Sequence, residues 1–270
     1  MTPINSFDDP RLAPYRNLKD KELAHDGGRF IAEGEQVVRR LLVSAVKTES
    51  LLVADRKAKA IAPLVPAGVT MFVASDEMVE QIIGFEFHSG VLACGVRPTS
   101  PALENVLSKA VDSSRTVVVC TKITNSENLG SLIRISAGFG VAAMLLGEQC
   151  CDPFFRQTVR VSMGSAFVLP MVRSEDVVAD MRRLKTDFGF ELVATVLDRE
   201  AQSLADAERS PKTALVFGGE ADGLEPRQIA ACDRRITIPM RRGTDSLNVS
   251  VAAGIFLYHF VDVCGDIEPP

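Results

Sequence analysis

Three stretches of the chain carry side chains able to do chemistry together. Near the C-terminus, Ile238-Pro-Met-Arg-Arg-Gly-Thr-Asp-Ser-Leu-Asn-Val-Ser-Val-Ala-Ala-Gly254 ends an apolar strand at Ile238. Pro239 then withdraws a backbone donor, and a polar loop enters a helix at about Asn248. Val249, Val251, Ala252, Ala253, Ile255 and Phe256 make that helix mostly apolar, so burial is expected, with Ser246, Asn248 and Ser250 needing partners at its entrance. Earlier, Asn128-x-Gly130-x-x-x-Arg134 sets an amide and a glycine at a loop-to-helix junction and an arginine one turn in, near the same mouth. A guanidinium there can clamp a phosphate. In the third stretch, residues 218–226 follow the apolar run 213–217 with Gly218-Gly-Glu-Ala-Asp-Gly-Leu-Glu-Pro, where three glycines let the backbone turn tightly against a ligand. Each stretch alone also has a plainer meaning: a Ser-x-Asn helix cap, an exposed arginine on a helix, and a common turn after a buried strand.

The elements that must position these residues alternate. Residues 29–34 read as a strand and turn, 36–46 as an amphipathic helix, and 51–54, 70–73 and 90–94 as strands, with Ser75 capping a helix to about residue 83. Residues 1–28 read as a polar lead-in ending in His25-Asp-Gly-Gly28. Arg97-Pro-Thr-Ser-Pro101 is a linker, which sets domains at 1–100 and 101–270. Beyond it, Arg115-Thr-Val-Val-Val-Cys120 suits a central parallel strand buried on both faces. Strands at 141–146, 191–197 and 213–217 follow, with a helix started by Asp152-Pro153 and an outer helix at 174–188. The fold class is α/β throughout.

Composition excludes several functions. Hydrophobic residues at 46% and charged ones at 24% are those of a globular protein, no apolar window is long enough to span a bilayer, and the N-terminus lacks a secretory pattern, so a cytoplasmic protein is expected. Six scattered cysteines and three distant histidines argue against a zinc site or a disulfide framework, and no metal is expected. The net charge is −5 and unsegregated, with 12 Lys/Arg against 14 Asp/Glu in residues 1–105 and 18 against 21 in the remainder. Nucleic-acid contact would therefore rest on local patches: Arg39-Arg40, Arg56-Lys57 with Lys59, Arg182-Arg183, Arg234-Arg235 and Arg241-Arg242. The last two flank the C-terminal stretch.

The three stretches, taken in order, resemble the motifs of the SpoU (TrmH) family of RNA ribose 2′-O-methyltransferases, in the SPOUT superfamily: Asn128-x-Gly-x-x-x-Arg134, Phe217-Gly-x-Glu220-x-x-Gly-Leu224, and Ile238-Pro-Met with Ser246-Leu-Asn-Val-Ser-Val-Ala-Ala253. Ser162-Met-Gly-Ser-Ala-Phe-Val-Leu-Pro170 also matches, and two positions depart: Ser126 where proline is common, and Ile135-Ser136 where Thr-Ala usually follow the arginine. The resemblance implies S-adenosylmethionine as cofactor, a C-terminal domain tied in a trefoil knot, and a homodimer whose RNA site draws on both subunits. It implies cofactor loops at Thr195 with Val196, Gly218, Gly219 and Glu220, Ile238, Met240 and Leu247. Arg134, Asn128, Glu220, Ser246 and Asn248 would surround the reacting centre. Phe30 to Gly34 and His88-Ser-Gly-Val-Leu-Ala93 are similar to the ribosomal-protein-like substrate-binding domain of many members, which implies RNA docking there. The RNA is expected to be ribosomal ahead of transfer RNA.

Competing readings fit less well. A Rossmann enzyme needs its glycine fingerprint after a strand and opening a helix, whereas Gly138-Phe-Gly140 follows a helix and precedes a strand. No Gly-x-Ser-x-Gly elbow marks a hydrolase. A noncatalytic RNA-binding module on the same knot remains the alternative, with cofactor binding as the discriminator.

Overall fold

The structure, a computed structural model, describes residues 1–16, 28–84, 87–108 and 116–261. It divides into two compact units, Met1–Thr99 with Asp152–Val168, and Ser100–Cys151 with Leu169–Pro270.

In the first unit, strands β1 (Thr2–Pro3), β2 (Arg29–Glu33), β3 (Thr48–Ala54), β4 (Thr70–Ala74) and β5 (Val91–Val96) form one sheet in the order β1-β4-β3-β5-β2. Pairing is parallel at β1/β4 and β3/β4 and antiparallel where β5 meets β3 and β2. Helices α1 (Glu35–Val43), α2 (Asp55–Ile61) and α3 (Asp76–Ile83) connect the strands. The Ser75 hydroxyl accepts the Met78 N–H at 3.2 Å and caps α3, which ends on left-handed Gly84. The lead-in, read from the sequence as polar, contributes to the core. Ile4, Leu12 and Tyr15 are buried in the same cluster as Leu52, Phe72 and Val79, and the Tyr15 hydroxyl pairs with Ser50 Oγ at 2.8 Å. Three apolar residues so widely spaced leave no periodic signal, yet they fill the core. Residues 17–27, including His25, lie outside the described set.

The second unit holds a seven-stranded sheet, parallel at every pair, in the order β10-β12-β9-β11-β6-β7-β8. Its strands are β6 (Thr116–Cys120), β7 (Ala143–Leu146), β8 (Met171–Arg173), β9 (Glu191–Thr195), β10 (Gln202–Ser203), β11 (Thr213–Phe217) and β12 (Arg234–Thr237). Helices α4 (Leu103–Leu107), α5 (Ser126–Gly138), α7 (Val177–Thr186), α8 (Pro226–Ala231) and α9 (Val249–Phe260) accompany them. β6 and β11 are buried at every residue and pair from Thr213↔Thr116 to Phe217↔Cys120, as unbroken apolar strands inside a parallel sheet must be. After β8 the chain crosses to β9 on the other side of β6, and β11 then fills the gap between them. That reversal of strand order sets the carboxyl ends of β9, β11 and β6 side by side, the place where parallel sheets open a crevice.

Two expectations need correction. Residues 101–270 do not form one continuous unit: Asp152–Val168 packs with the first. There helix α6 (Arg156–Val161) puts Arg156 and Arg160 on one face, and both pair with Glu33 at the end of β2, the second at 3.1 Å. Phe30 of β2 packs on Phe154 and Phe167, with ring centroids 5.2 and 5.7 Å apart. The second correction concerns α9, expected to be buried. One face is buried through Ala253, Phe256, Leu257 and Phe260, while Val251, Ile255 and Tyr258 are exposed. No helix among the described residues is long and apolar enough to cross a membrane.

Glu33 is 6% exposed, so deleting its carboxylate removes a half-buried ion pair with Arg156. Glu33→Ala should cost about 1–3 kcal/mol in chemical denaturation and speed tryptic cleavage at Arg156 and Arg160. If neither changes, the aromatic packing alone holds the segment.

Candidate active site

The site of the second unit is built at the carboxyl ends of β9, β11, β6 and β12. β11 delivers Phe217 into a turn that only glycine allows: a Cβ on Gly218 would stand 2.1 Å from the Gly223 carbonyl carbon and 2.4 Å from the Leu224 nitrogen. Gly219 and Gly223 then exchange backbone hydrogen bonds, both at 3.0 Å, and Gly223 turns with φ +67°. Lys122, just past β6, bonds Asp222 at 3.2 Å and ties this turn to its neighbour loop.

α5 begins beside the turn. Asn125 caps it, its Oδ1 accepting the N–H of Glu127 at 2.7 Å and of Asn128 at 3.3 Å. The Glu220 carboxylate faces this helix start and accepts from the Asn125 N–H (3.1 Å), the Thr124 N–H and hydroxyl (3.3 Å each) and Asn128 Nδ2 (3.1 Å). Asn128 Oδ1 in turn accepts Asn248 Nδ2 at 2.9 Å. Asn248 is the N-cap of α9, and its Oδ1 takes the Ser250 N–H at 2.9 Å and the Ser250 hydroxyl at 2.6 Å. One line of hydrogen bonds thus runs from the second motif through the first to the third. Partial burial works against charge on Glu220, but the bonds from Asn128 and from the backbone of Asn125 and Thr124 outweigh it and hold the carboxyl below its ordinary range.

Against this line lies a cavity of about 390 Å³, within the ~300–1,000 Å³ usual for small-ligand sites. Asn128, Thr195, Val196, Gly218, Gly219, Glu220, Ile238, Met240, Ser246, Leu247 and Asn248 all line it. Of the residues expected to hold the cofactor or surround the reacting centre, Arg134 alone does not; it is exposed on α5, with no ion pair or side-chain hydrogen bond among the described residues. Ser246 and Asn248 are exposed at the mouth and Ser250 is buried, whereas the sequence put all three at a buried entrance.

Sequence reasoning missed further wall residues. Leu197, Ala221 and Gly223 belong to the same loops, and Phe217 is the last residue of β11. Val249, Ala252 and Phe256 come from α9 and share a helical face, with Phe256 edge-on to Phe217 at 6.0 Å. Their i, i+3, i+7 spacing was readable, but nothing local told a cavity wall from core. The mixed lining suits a ligand with an apolar ring at one end and polar groups at the other. Among the described residues no group of three or more His, Cys, Asp or Glu is placed to hold a metal.

Knowledge of other proteins agrees with this geometry. Residues 115–258 match the model of the SpoU rRNA methylase family. An uncharacterized tRNA/rRNA methyltransferase of Mycobacterium tuberculosis is 37% identical over 93% of this chain and 88% of its own. The 23S rRNA (guanosine-2′-O-)-methyltransferase RlmB of Acinetobacter baylyi is 31% identical over 72% and 78%. Among solved structures, an AdoMet-bound rRNA methyltransferase from Sinorhizobium meliloti superposes with a TM-score of 0.80 at 25% identity, covering 96% of each chain. Fold and site therefore define a methyltransferase of the α/β SPOUT type. The chain belongs to the SpoU rRNA methylase family.

Two substitutions test the construction. Gly218→Ala should lower stability by about 2 kcal/mol or more, and fast amide exchange at Gly223 would report the lost bridge; wild-type exchange would show that the turn gives way easily. The depressed carboxyl of Glu220 stabilises the fold above its ordinary value of 4.5, a contribution lost as pH falls through its lower folded-state value. The stability gap between wild type and Glu220→Gln should accordingly close on acidification, and a pH-independent gap would refute that origin.

Proposed function

We propose that this protein transfers the methyl group of S-adenosylmethionine to a ribose 2′-hydroxyl of ribosomal RNA. The observation that carries the reading is the cavity at the carboxyl ends of four neighbouring parallel strands, with the Glu220–Asn128–Asn248 line at its mouth. Thr195, Val196, Gly218, Gly219, Ile238, Met240 and Leu247 would hold the cofactor, which supplies an electrophilic sulfonium methyl when bound. Gly218 lines the cavity, and its lack of a Cβ is what lets the turn over Gly223 close there. Relatives named as tRNA/rRNA or 23S rRNA 2′-O-methyltransferases support RNA as the acceptor. The first unit serves in this reading as the RNA-docking domain. The loops around the cavity form the trefoil knot that family membership implies, and a ribosomal substrate goes with a cytoplasmic protein.

The roles of the side chains follow from their chemistry. Charged Glu220 fixes the Asn128 amide, and Asn128 fixes Asn248, so two amides stand oriented at the mouth before the RNA arrives. Ser246 adds a hydroxyl there. The Arg134 guanidinium offers donors and no acceptor; its part is to bind the phosphate beside the target ribose and orient the 2′-oxygen. Because it does not line its own cavity, Arg134 acts on the cavity of a second copy. The exposed stripe Val251, Ile255 and Tyr258 on α9, with Phe139 just after α5 packed on Tyr258 at 6.5 Å, supplies an apolar face for that homodimer.

Calorimetric titration with S-adenosylmethionine and S-adenosylhomocysteine tests the reading first: saturable binding is expected, and its absence favours the noncatalytic module. Arg134→Ala should abolish methyl transfer to 23S rRNA yet bind cofactor normally. Mixed with a cavity-filling Ala252→Phe variant, it should regain about a quarter of wild-type activity, since half the dimers then carry one complete site. No recovery would place Arg134 in its own subunit's site.

A further inference from the structure

We propose that Arg241 and Arg242 grip the phosphate backbone of the RNA next to the reacting nucleotide, so that the loop of residues 241–245 is a positioning element of the active site. This inference rests on the RNA methyltransferase reading. The loop is fully exposed and short, and it is anchored at both ends by residues that line the cavity, Met240 and Ser246. Whatever the loop binds therefore lies beside the cavity mouth.

The five basic clusters of the sequence are not equivalent. In the other four at least one cation is engaged by a carboxylate: Arg39 and Lys57 by Glu35, Arg183 by Glu104, and Arg234 by Glu191. Arg241 and Arg242 are the one pair in which neither side chain has an ion-pair or hydrogen-bond partner among the described residues. With a net charge of −5, the chain has no general attraction for a polyanion, and two unspent cations at the mouth are what its surface offers there.

The backbone points the same way. Arg242 has φ +58°, a conformation that glycine takes freely and that side chains with a Cβ rarely adopt, and left-handed Gly243 follows it. Arginine at such a position forgoes an easier backbone for a charged side chain. No contact within the described chain accounts for that choice, whereas a phosphate would, through the bidentate geometry of the guanidinium.

The test measures binding of transcribed 23S rRNA with S-adenosylhomocysteine present, from about 50 to 200 mM salt. The Arg241→Ala/Arg242→Gly double variant should bind roughly tenfold more weakly, with a salt slope shallower by one to two units. It should raise KM for RNA more than it lowers kcat and leave the calorimetric affinity for S-adenosylmethionine unchanged. Arg241→Lys/Arg242→Lys should keep the slope, because lysine also neutralises phosphate. A wild-type slope in the Ala/Gly variant overturns the proposal, as does loss of slope in the lysine variant, which would make loop shape rather than charge decisive. Wild-type protein that methylates no RNA removes the underlying function and this inference with it.

Discussion

The turn after β11 closes because the backbone of Gly218 lies directly on the carbonyl of Gly223, at a separation that excludes a Cβ. Much of the site follows from that contact. It brings Glu220 back over the start of α5, where the capped helix presents two N–H groups and the Asn128 amide to one carboxylate. With the carboxylate fixed, Asn128 can turn only one way, and Asn248 follows. A carboxylate with so many donors has little reason to take up a proton near neutrality, so Glu220 orients other groups better than it shuttles protons.

The sheet explains why three distant stretches meet there. Glycine and amide motifs at the ends of β6, β11 and β12 would stay apart if the strands ran in chain order. Placing β11 between β9 and β6, and β12 on the outer side of β9, makes their exits neighbours. The strands themselves carry no chemistry. The apolar runs of β6 and β11 keep those two strands central, and centrality is what lets their last residues converge.

That division also decides what the sequence could disclose. The cavity lining was legible because its signals are local: a glycine that must follow a strand, an amide that must cap a helix, a proline that ends pairing. The buried parallel strands were legible for the same reason, as runs with no polar interruption. The excursion of Asp152–Val168 was not, because Arg156 and Arg160 look like surface charge until Glu33, far off in sequence, is brought to them. Nor was the incorporation of Ile4, Leu12 and Tyr15 into the first core, where isolated apolar residues follow no period. The position of Arg134 outside its own cavity was equally hidden: helical spacing gave its height along α5, but the face it occupies depends on how α9 packs against that helix.

α9 shows how one helix can carry two such constraints. Val249, Ala252 and Phe256 wall the cavity, while Val251, Ile255 and Tyr258 point the other way, so apolar residues occupy both faces and polar ones crowd into the cap. A surface helix in a lone subunit would put charge on its outer face, since exposed apolar area costs about 25 cal/mol per Å² against burial. Here the helix holds no Asp, Glu, Lys or Arg, and His259 near its end is turned to the Ala207 carbonyl at 2.7 Å. In the proposed dimer, packing against a second copy would resolve the conflict without altering the cavity face. The exposed Arg134 sits on α5, which packs on α9; in the proposed dimer the contact that buries the stripe would carry this arginine toward a neighbouring mouth. On the proposed reading, dimerisation is a condition for a complete active site, with the apolar face of α9 as its driving force.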